Sequence, residues 1–130
     1  MNDREYKQEK RLQNCLERLS LSGDCCIVCG ESDPRVLEAH HLAGKDFRKI
    51  LVTVCRNCHR KLSDMQKDHP AILLGTPTKT ECEGRELLGI ADIEELRGAP
   101  PRIVELIRQM GERLVERGQP FGGSAQDAEP

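Results

Sequence analysis

The sequence has almost no aromatic residues and no tryptophan, since Tyr6, Phe47 and Phe121 make up only 2% of the chain. Large apolar side chains supply most of the burial that offsets the conformational entropy lost on folding. A chain of 130 residues with so few of them is expected to need another source of stability. A bound metal ion is the simplest candidate.

The sequence also lacks any apolar run that approaches the roughly 20 residues of a membrane-spanning helix. Its first eleven residues, Met1 to Arg11, are charged and contain no apolar core of a secretory signal. We therefore expect a cytoplasmic protein without a membrane partner. Because disulfides are rare in that compartment, the seven cysteines are interpreted as metal ligands or free thiols.

Four of the cysteines form two pairs, Cys26 with Cys29 and, about 25 residues later, Cys55 with Cys58. Two thiolates three positions apart can reach one ion from a single turn, and zinc prefers four tetrahedral ligands. The spacing predicts a structural zinc ion held by both pairs. A redox pair is the alternative, but a thioredoxin-like context is absent. The remaining cysteines are assigned to packing or exposure: Cys15, Cys25 and Cys82.

The pattern of apolar residues and of stop signals predicts an α+β fold. In chain order it predicts a helix from Asn2 or Asp3 to about Leu21, strands over 36–42 and 50–54, and helices over 57–67, 86–96 and 101–118. The corresponding domains are an N-terminal helix (1–23), a zinc-bound module (24–69), a loop with C-terminal helices (70–118) and a disordered tail (119–130).

The last predicted helix carries a one-sided apolar stripe, made by Ile103, Ile107, Met110 and Leu114. Docking of this stripe on the rest of the chain is the first interpretation, and a homodimer through the same helix is the alternative.

Three of the four histidines lie between or beside the cysteine pairs. His40 and His41 end the first predicted strand, and His59 follows the last cysteine of the second pair. Neighbouring residues on a strand point to opposite faces, so His40 and His41 are expected to have different roles.

This order of motifs, Cys-x2-Cys, His-His, then a strand into Cys-x2-Cys-His, resembles the HNH nucleases in their zinc-knuckle form. The stretches 38–45 and 54–63 also resemble a group of small HNH-like proteins, and the resemblance covers about residues 25–67. It implies a small ββα-metal module flanked by helices. It also implies that His40 and His59 bind a catalytic divalent ion such as Mg²⁺, Mn²⁺ or Ni²⁺, and that His41 is the general base. The implied reaction is hydrolysis of a phosphodiester bond in nucleic acid, with DNA as the first candidate.

Two positions depart from the family's pattern. Ile50 stands where the family has asparagine, and Ser63 stands where a further metal-binding histidine often lies. The second hypothesis is therefore a zinc module that kept the HNH scaffold and binds nucleic acid or a protein without cleaving.

A mildly basic segment surrounds the motif, with eight Lys or Arg residues between Arg35 and Lys67. Such a segment is compatible with a phosphate-backbone partner, although ordinary solvated faces have the same composition. The candidate nucleic-acid-binding residues are Lys45, Arg48, Lys49, Arg56, Arg60 and Lys61.

Overall fold

The computed structural model describes residues 2–18, 23–73 and 75–119. In these ranges the fold is α+β, with four α-helices and one antiparallel sheet of two strands. The elements in chain order are α1 (Asp3–Arg18), a short 3-10 helix (Pro34–Val36), β1 (Leu37–His41), β2 (Leu51–Cys55), α2 (Arg56–Gln66), α3 (Lys79–Leu96) and α4 (Pro101–Gly118). Residues 19–22, at the end of the first predicted helix, and 120–130 of the predicted tail lie outside the described ranges.

The chain forms two compact units. The first comprises residues 1–40 and 51–61, and the second comprises 41–50 and 62–130. The domain boundaries predicted from the sequence stay a prediction. No helix in the described ranges combines the length and the hydropathy that crossing a membrane requires.

The first unit is organised around a tight turn that carries the first cysteine pair. Gly30 has a φ of 82°, a left-handed conformation that suits glycine. Its amide donates to the Cys26 carbonyl at 2.9 Å, and the Ile27 amide donates to the Thr53 carbonyl on β2 at 2.9 Å. Thr53 is 1% exposed, and its hydroxyl donates to the carbonyl of Gly23. These bonds attach the turn to β2, the strand that ends at the second cysteine pair.

The second unit contains a helical hairpin in which α3 and α4 pack through small residues. A Cβ atom added to Gly84 would lie 2.6 Å from the Val115 amide nitrogen and 2.7 Å from the Gly111 carbonyl oxygen. At Gly89 an added Cβ would collide with the carbonyl of Leu42. The two glycines of α3 are therefore needed for close approach of neighbouring backbone.

The α3 helix is longer than predicted, since it begins at Lys79 and not at Glu86. Thr78 caps it by accepting a hydrogen bond from the Glu81 amide at 3.1 Å, and its hydroxyl donates to the Gly118 carbonyl at 2.8 Å. The Thr78 cap therefore places the start of this helix seven residues earlier than the sequence analysis did.

The second unit buries charged groups as well as apolar ones. Arg85, 2% exposed, donates to Glu81 at 3.0 Å and to the carbonyls of Pro70 and Ala71, and its guanidinium lies 4.5 Å from the centre of the Phe47 ring. Among the described residues no buried side-chain polar atom lacks a hydrogen-bond partner. Satisfied ion pairs thus occupy interior space that larger apolar side chains fill in other small domains.

A second group of buried charges in this unit includes His69. Its side chain is only 10% exposed, and its Nε2 lies 2.6 Å from Asp92 Oδ2. Arg108 donates to the other oxygen of Asp92 at 3.2 Å. The carboxylate of Asp92 therefore connects the segment after α2 to both helices of the hairpin.

The predicted docking of the apolar side chains of α4 on the rest of the chain holds for only part of them. The buried residues of α4 are Val104, Gly111, Val115 and Gly118. Ile103 and Met110, which belong to the predicted stripe, are 48% and 49% exposed. The helix is present as predicted. Ile107 and Leu114 of the stripe are half-buried, and the Leu114 Cβ would lie 2.9 Å from a Cβ added to Gly84 of α3.

Candidate metal centre

The four paired cysteines form one cluster. The Sγ atoms of Cys26, Cys29, Cys55 and Cys58 all lie within 4.8 Å of one another, and those of Cys29 and Cys55 are 3.7 Å apart. Four sulfurs at ~2.3 Å from a tetrahedral zinc ion stand about 3.8 Å from each other. Both the donor set and the sulfur spacing therefore fit a metal ion such as zinc, as the two sequence pairs predicted.

The two halves of the cluster share one local geometry. The Cys29 amide donates to the Cys26 sulfur at 3.5 Å, and the Cys58 amide donates to the Cys55 sulfur at the same distance. The first pair lies in the turn closed by Gly30, whereas the second lies where β2 passes into α2. Each turn points its first sulfur at backbone N–H groups, which favour the thiolate form that binds metal.

The protonation of the cluster is uneven without metal. Burial raises the pKa of Cys26, but hydrogen bonds from the backbone of Cys29, Cys55 and Val28 outweigh it and lower that pKa to about 7. Burial, followed by the neighbouring Cys55 sulfur, raises the pKa of Cys58. One sulfur of the cluster thus ionises readily while another holds its proton. A divalent cation would bind all four as thiolates and release the remaining protons.

The other cysteines stand apart from this cluster. Cys25 is exposed, although it adjoins Cys26, and Cys82 is buried on α3 in the second unit. The side chain of Cys15 lies outside what the structure describes. The two-residue spacing to Cys29 therefore selected the correct member of the Cys25–Cys26 pair.

The first unit also brings two of the candidate histidines together. The rings of His40 and His59 have centroids 5.2 Å apart and are inclined at 73°. His40 is 3% exposed, and the His59 side chain is 31% exposed. His41 belongs to the second unit, where its carbonyl accepts a hydrogen bond from Gln66 Nε2 at 3.0 Å. The proposed metal ligands are thus neighbours, and the role of His41 depends on the sequence pattern alone.

Glu38 is a site residue that the sequence reasoning missed. Its Oε1 lies 2.9 Å from His59 Nδ1, and its Oε2 lies 3.7 Å from Arg56 Nε. When Nδ1 donates to the carboxylate, the neutral ring of His59 carries its lone pair on Nε2. Glu38 precedes His40 by two positions on β1, and side chains two positions apart on a strand lie on the same face. This alternation is the sequence signal that could have identified Glu38.

A third ligand does not join the two histidines. Among the described residues, the cysteine cluster is the one place where three or more His, Cys, Asp or Glu side chains are close enough to share an ion. Ser63 lies exposed on α2, and Ile50 is 37% exposed. Within the ranges 2–18, 23–73 and 75–119, no side chain therefore replaces the ligand that the resemblance leads one to expect.

The candidate nucleic-acid-binding residues differ in how their charges are engaged. Arg48 contacts Glu86 at 3.2 Å and Glu83 at 3.6 Å in the second unit, and Arg56 contacts Glu38 in the first. The other four are exposed and form no ion pair within the described ranges: Lys45, Lys49, Arg60 and Lys61. Two of the six positive charges are therefore partly neutralised within the protein.

No protein-family model, curated protein or solved structure matches this chain. The functional interpretation therefore depends on the motif and on the geometry of the site.

Proposed function

We propose that the chain is an HNH-type endonuclease that hydrolyses phosphodiester bonds in nucleic acid, with DNA as the first substrate to test. The observation that supports it is the pairing of the His40 and His59 rings, 5.2 Å apart, with Glu38 engaged on His59 Nδ1. In this proposal the cysteine cluster holds a structural zinc ion and the two histidines hold the catalytic one.

The Glu38–His59 contact suits a metal-binding histidine. Such a histidine usually donates its other ring N–H to a carboxylate, which fixes the tautomer and the ring orientation. Glu38 would orient His59 in this way and make its Nε2 more basic. Its second oxygen faces Arg56, so one carboxylate would position both a ligand and a cation.

His40 and His59 would hold Mg²⁺, Mn²⁺ or Ni²⁺. When bound, such an ion would stabilise the negative charge that develops on the phosphate and on the leaving oxygen. With two protein ligands we expect weak binding and a shell completed mainly by water. The resemblance assigns the general base to His41, whose neutral imidazole can accept a proton from water near pH 7.

Nicking of supercoiled plasmid DNA in the presence of Mg²⁺, Mn²⁺ or Ni²⁺ tests this proposal. We expect cleavage by the wild type and a loss of at least about a hundredfold in His41→Ala, the usual contribution of a general base. Ser63→His is the matched gain-of-function variant, because it supplies the missing ligand at an exposed position. It should lower the metal concentration needed for half-maximal activity. Equal trace activity in wild type and His41→Ala would indicate a contaminating nuclease and would reject the proposal.

The alternative is a zinc module that binds nucleic acid without cutting it. The absence of a third ligand beside His40 and His59 within the described ranges favours this alternative. Under it, a labelled duplex would be bound by the wild type and by His41→Ala with equal affinity, and no metal would produce cleavage. Replacing the unpaired cations Arg60 and Lys61 by alanine would weaken that binding and reduce its salt dependence.

A further inference from the structure

The α4 helix presents large apolar side chains to solvent. Leu106 is 55% exposed, Met110 49% and Ile103 48%. At about 100° per residue these three positions fall within about 60° of one another around the helix. We refer to Ile103, Leu106 and Met110 as the α4 stripe.

The packing of the hairpin explains why the stripe faces outward. The α3-facing side of α4 contains Val104, Gly111 and Val115, and an added Cβ on Gly111 would lie 2.8 Å from the Gly84 carbonyl oxygen. Gly111 thereby leaves room for the buried Leu88 side chain of α3, which would lie 3.0 Å from an added Cβ. The residues of the stripe lie outside this contact, on the solvent-facing side of α4.

One edge of the stripe is positively charged. Arg102 and Arg113 are exposed and stand eleven positions apart, which places them about 20° from each other around the helix and beside Leu106. Neither forms an ion pair within the described part of the chain. The exposed glutamates Glu105 and Glu112 lie on the side of α4 away from the stripe. The opposite edge of the stripe adjoins α3.

We propose that the α4 stripe binds an amphipathic helix of a partner protein that carries acidic residues along the edge meeting Arg102 and Arg113. Apolar helix faces bind such partners through anchors spaced three and four residues apart, as Ile103, Leu106 and Met110 are. Opposite charges at the edge would fix the orientation of the partner and increase its rate of association. This proposal is independent of the proposed nuclease activity.

A second copy of the chain fits this surface less well. Dimers usually have twofold symmetry, so the same patch meets itself. In an antiparallel pair of α4 helices the arginine edges would face each other, and like charges would repel. In a parallel pair the arginine edge of each α4 helix would instead face the edge of the other α4 helix that lies beside its own α3. Nucleic acid is also disfavoured, because the stripe has no aromatic side chain on which bases could stack.

Two synthetic helical peptides of about three heptads test the proposal. They share one leucine face and differ only at one edge, which is glutamate in the first peptide and lysine in the second. Fluorescence anisotropy should show that the full chain binds the acidic peptide at least about tenfold more tightly, with a difference that shrinks as salt is added. The double variant Arg102→Glu with Arg113→Glu should reverse this preference.

Met110→Glu should abolish binding of both peptides without changing the melting temperature. Ile72→Glu is the matched control, since Ile72 is exposed in the same unit, at 60%, but lies outside the stripe. It should leave both affinities unchanged. The charge-reversal experiment uses surface positions only, so it remains informative if Met110→Glu is poorly folded.

Three results would overturn the proposal. The first is equal binding of the two peptides by the wild type, or no reversal by the double arginine variant. The second is a dimer in sedimentation analysis that Met110→Glu dissociates, because a second copy would then occupy the stripe. The third is peptide binding that appears only after residues 120–130 are removed, because that segment would then be the occupant.

Discussion

Replacing Cys26 by serine should unfold the first unit while the second remains folded. Among the described residues of the first unit, Leu37 and Val54 are the buried hydrophobic side chains other than the clustered cysteines. Full burial of two such side chains contributes about 3 to 6 kcal/mol. This is a small apolar contribution for a unit that includes the described ranges 23–40 and 51–61.

A zinc ion in the cysteine cluster would add to this small apolar contribution. Structural zinc sites have apparent binding free energies on the order of 10 kcal/mol, and most of that energy is folding energy. Cys26→Ser leaves three cysteine ligands and removes the sulfur that accepts a hydrogen bond from the Cys29 amide. We therefore expect loss of the ion and loss of the fold of this unit. The second unit has its own buried residues, which include Leu88, Ala91 and Val115.

Native mass spectrometry and amide hydrogen exchange measure these effects. The informative amide is that of Ile27, which donates to the Thr53 carbonyl and should lose its protection in Cys26→Ser and in chelator. Amides in α3 and α4 should keep theirs. Cys25→Ser is the matched control, because Cys25 is exposed and adjoins Cys26 without joining the cluster. Since protons compete with zinc for the thiolates, occupancy should also fall as the pH is lowered.

A single result would refute this reasoning. If Cys26→Ser retained one zinc per chain and the same protection at Ile27, four-thiolate coordination would not be what holds the first unit together. The same conclusion would follow if metal-free wild type showed unchanged protection.

Three further predictions concern the second unit and the histidine pair. Gly84→Ala should destabilise the second unit by about 1 to 3 kcal/mol in denaturant unfolding, because its methyl group would press on the Val115 backbone; an unchanged midpoint would contradict the described packing. Asp92→Asn should lower the free energy of unfolding of the second unit by roughly 3 kcal/mol or more, since it removes the buried carboxylate that faces His69. An unchanged free energy of unfolding at pH 7 would show that the contact contributes little. If the proposed function holds, Glu38→Gln should weaken metal-dependent activity about 10- to 100-fold, and added metal should partly restore it. Full activity of this variant at a limiting metal concentration would show that Glu38 does not support metal binding by His59.

The features that the sequence predicted correctly depend on local spacing. Cysteines three positions apart define each turn of the cluster, and the run of β-branched residues before Cys55 predicts β2. Glu38 could have been found by the same reasoning, since alternation along β1 places it on the face of His40. By contrast, the contact between His69 and Asp92 joins residues 23 positions apart, and no periodicity connects them.

The α3–α4 hairpin shows why apolar periodicity alone did not identify the buried face of α4. The stripe of large residues predicted the helix correctly, but glycine carries no hydrophobic signal, so the face formed by Gly111 and Gly118 was not recognised as the one that packs. In a chain with so few aromatic residues, close backbone approach at Gly84 and satisfied charges at Arg85 replace the burial of large side chains. The large apolar residues that remain, above all Leu106, are then available for contacts outside the hairpin.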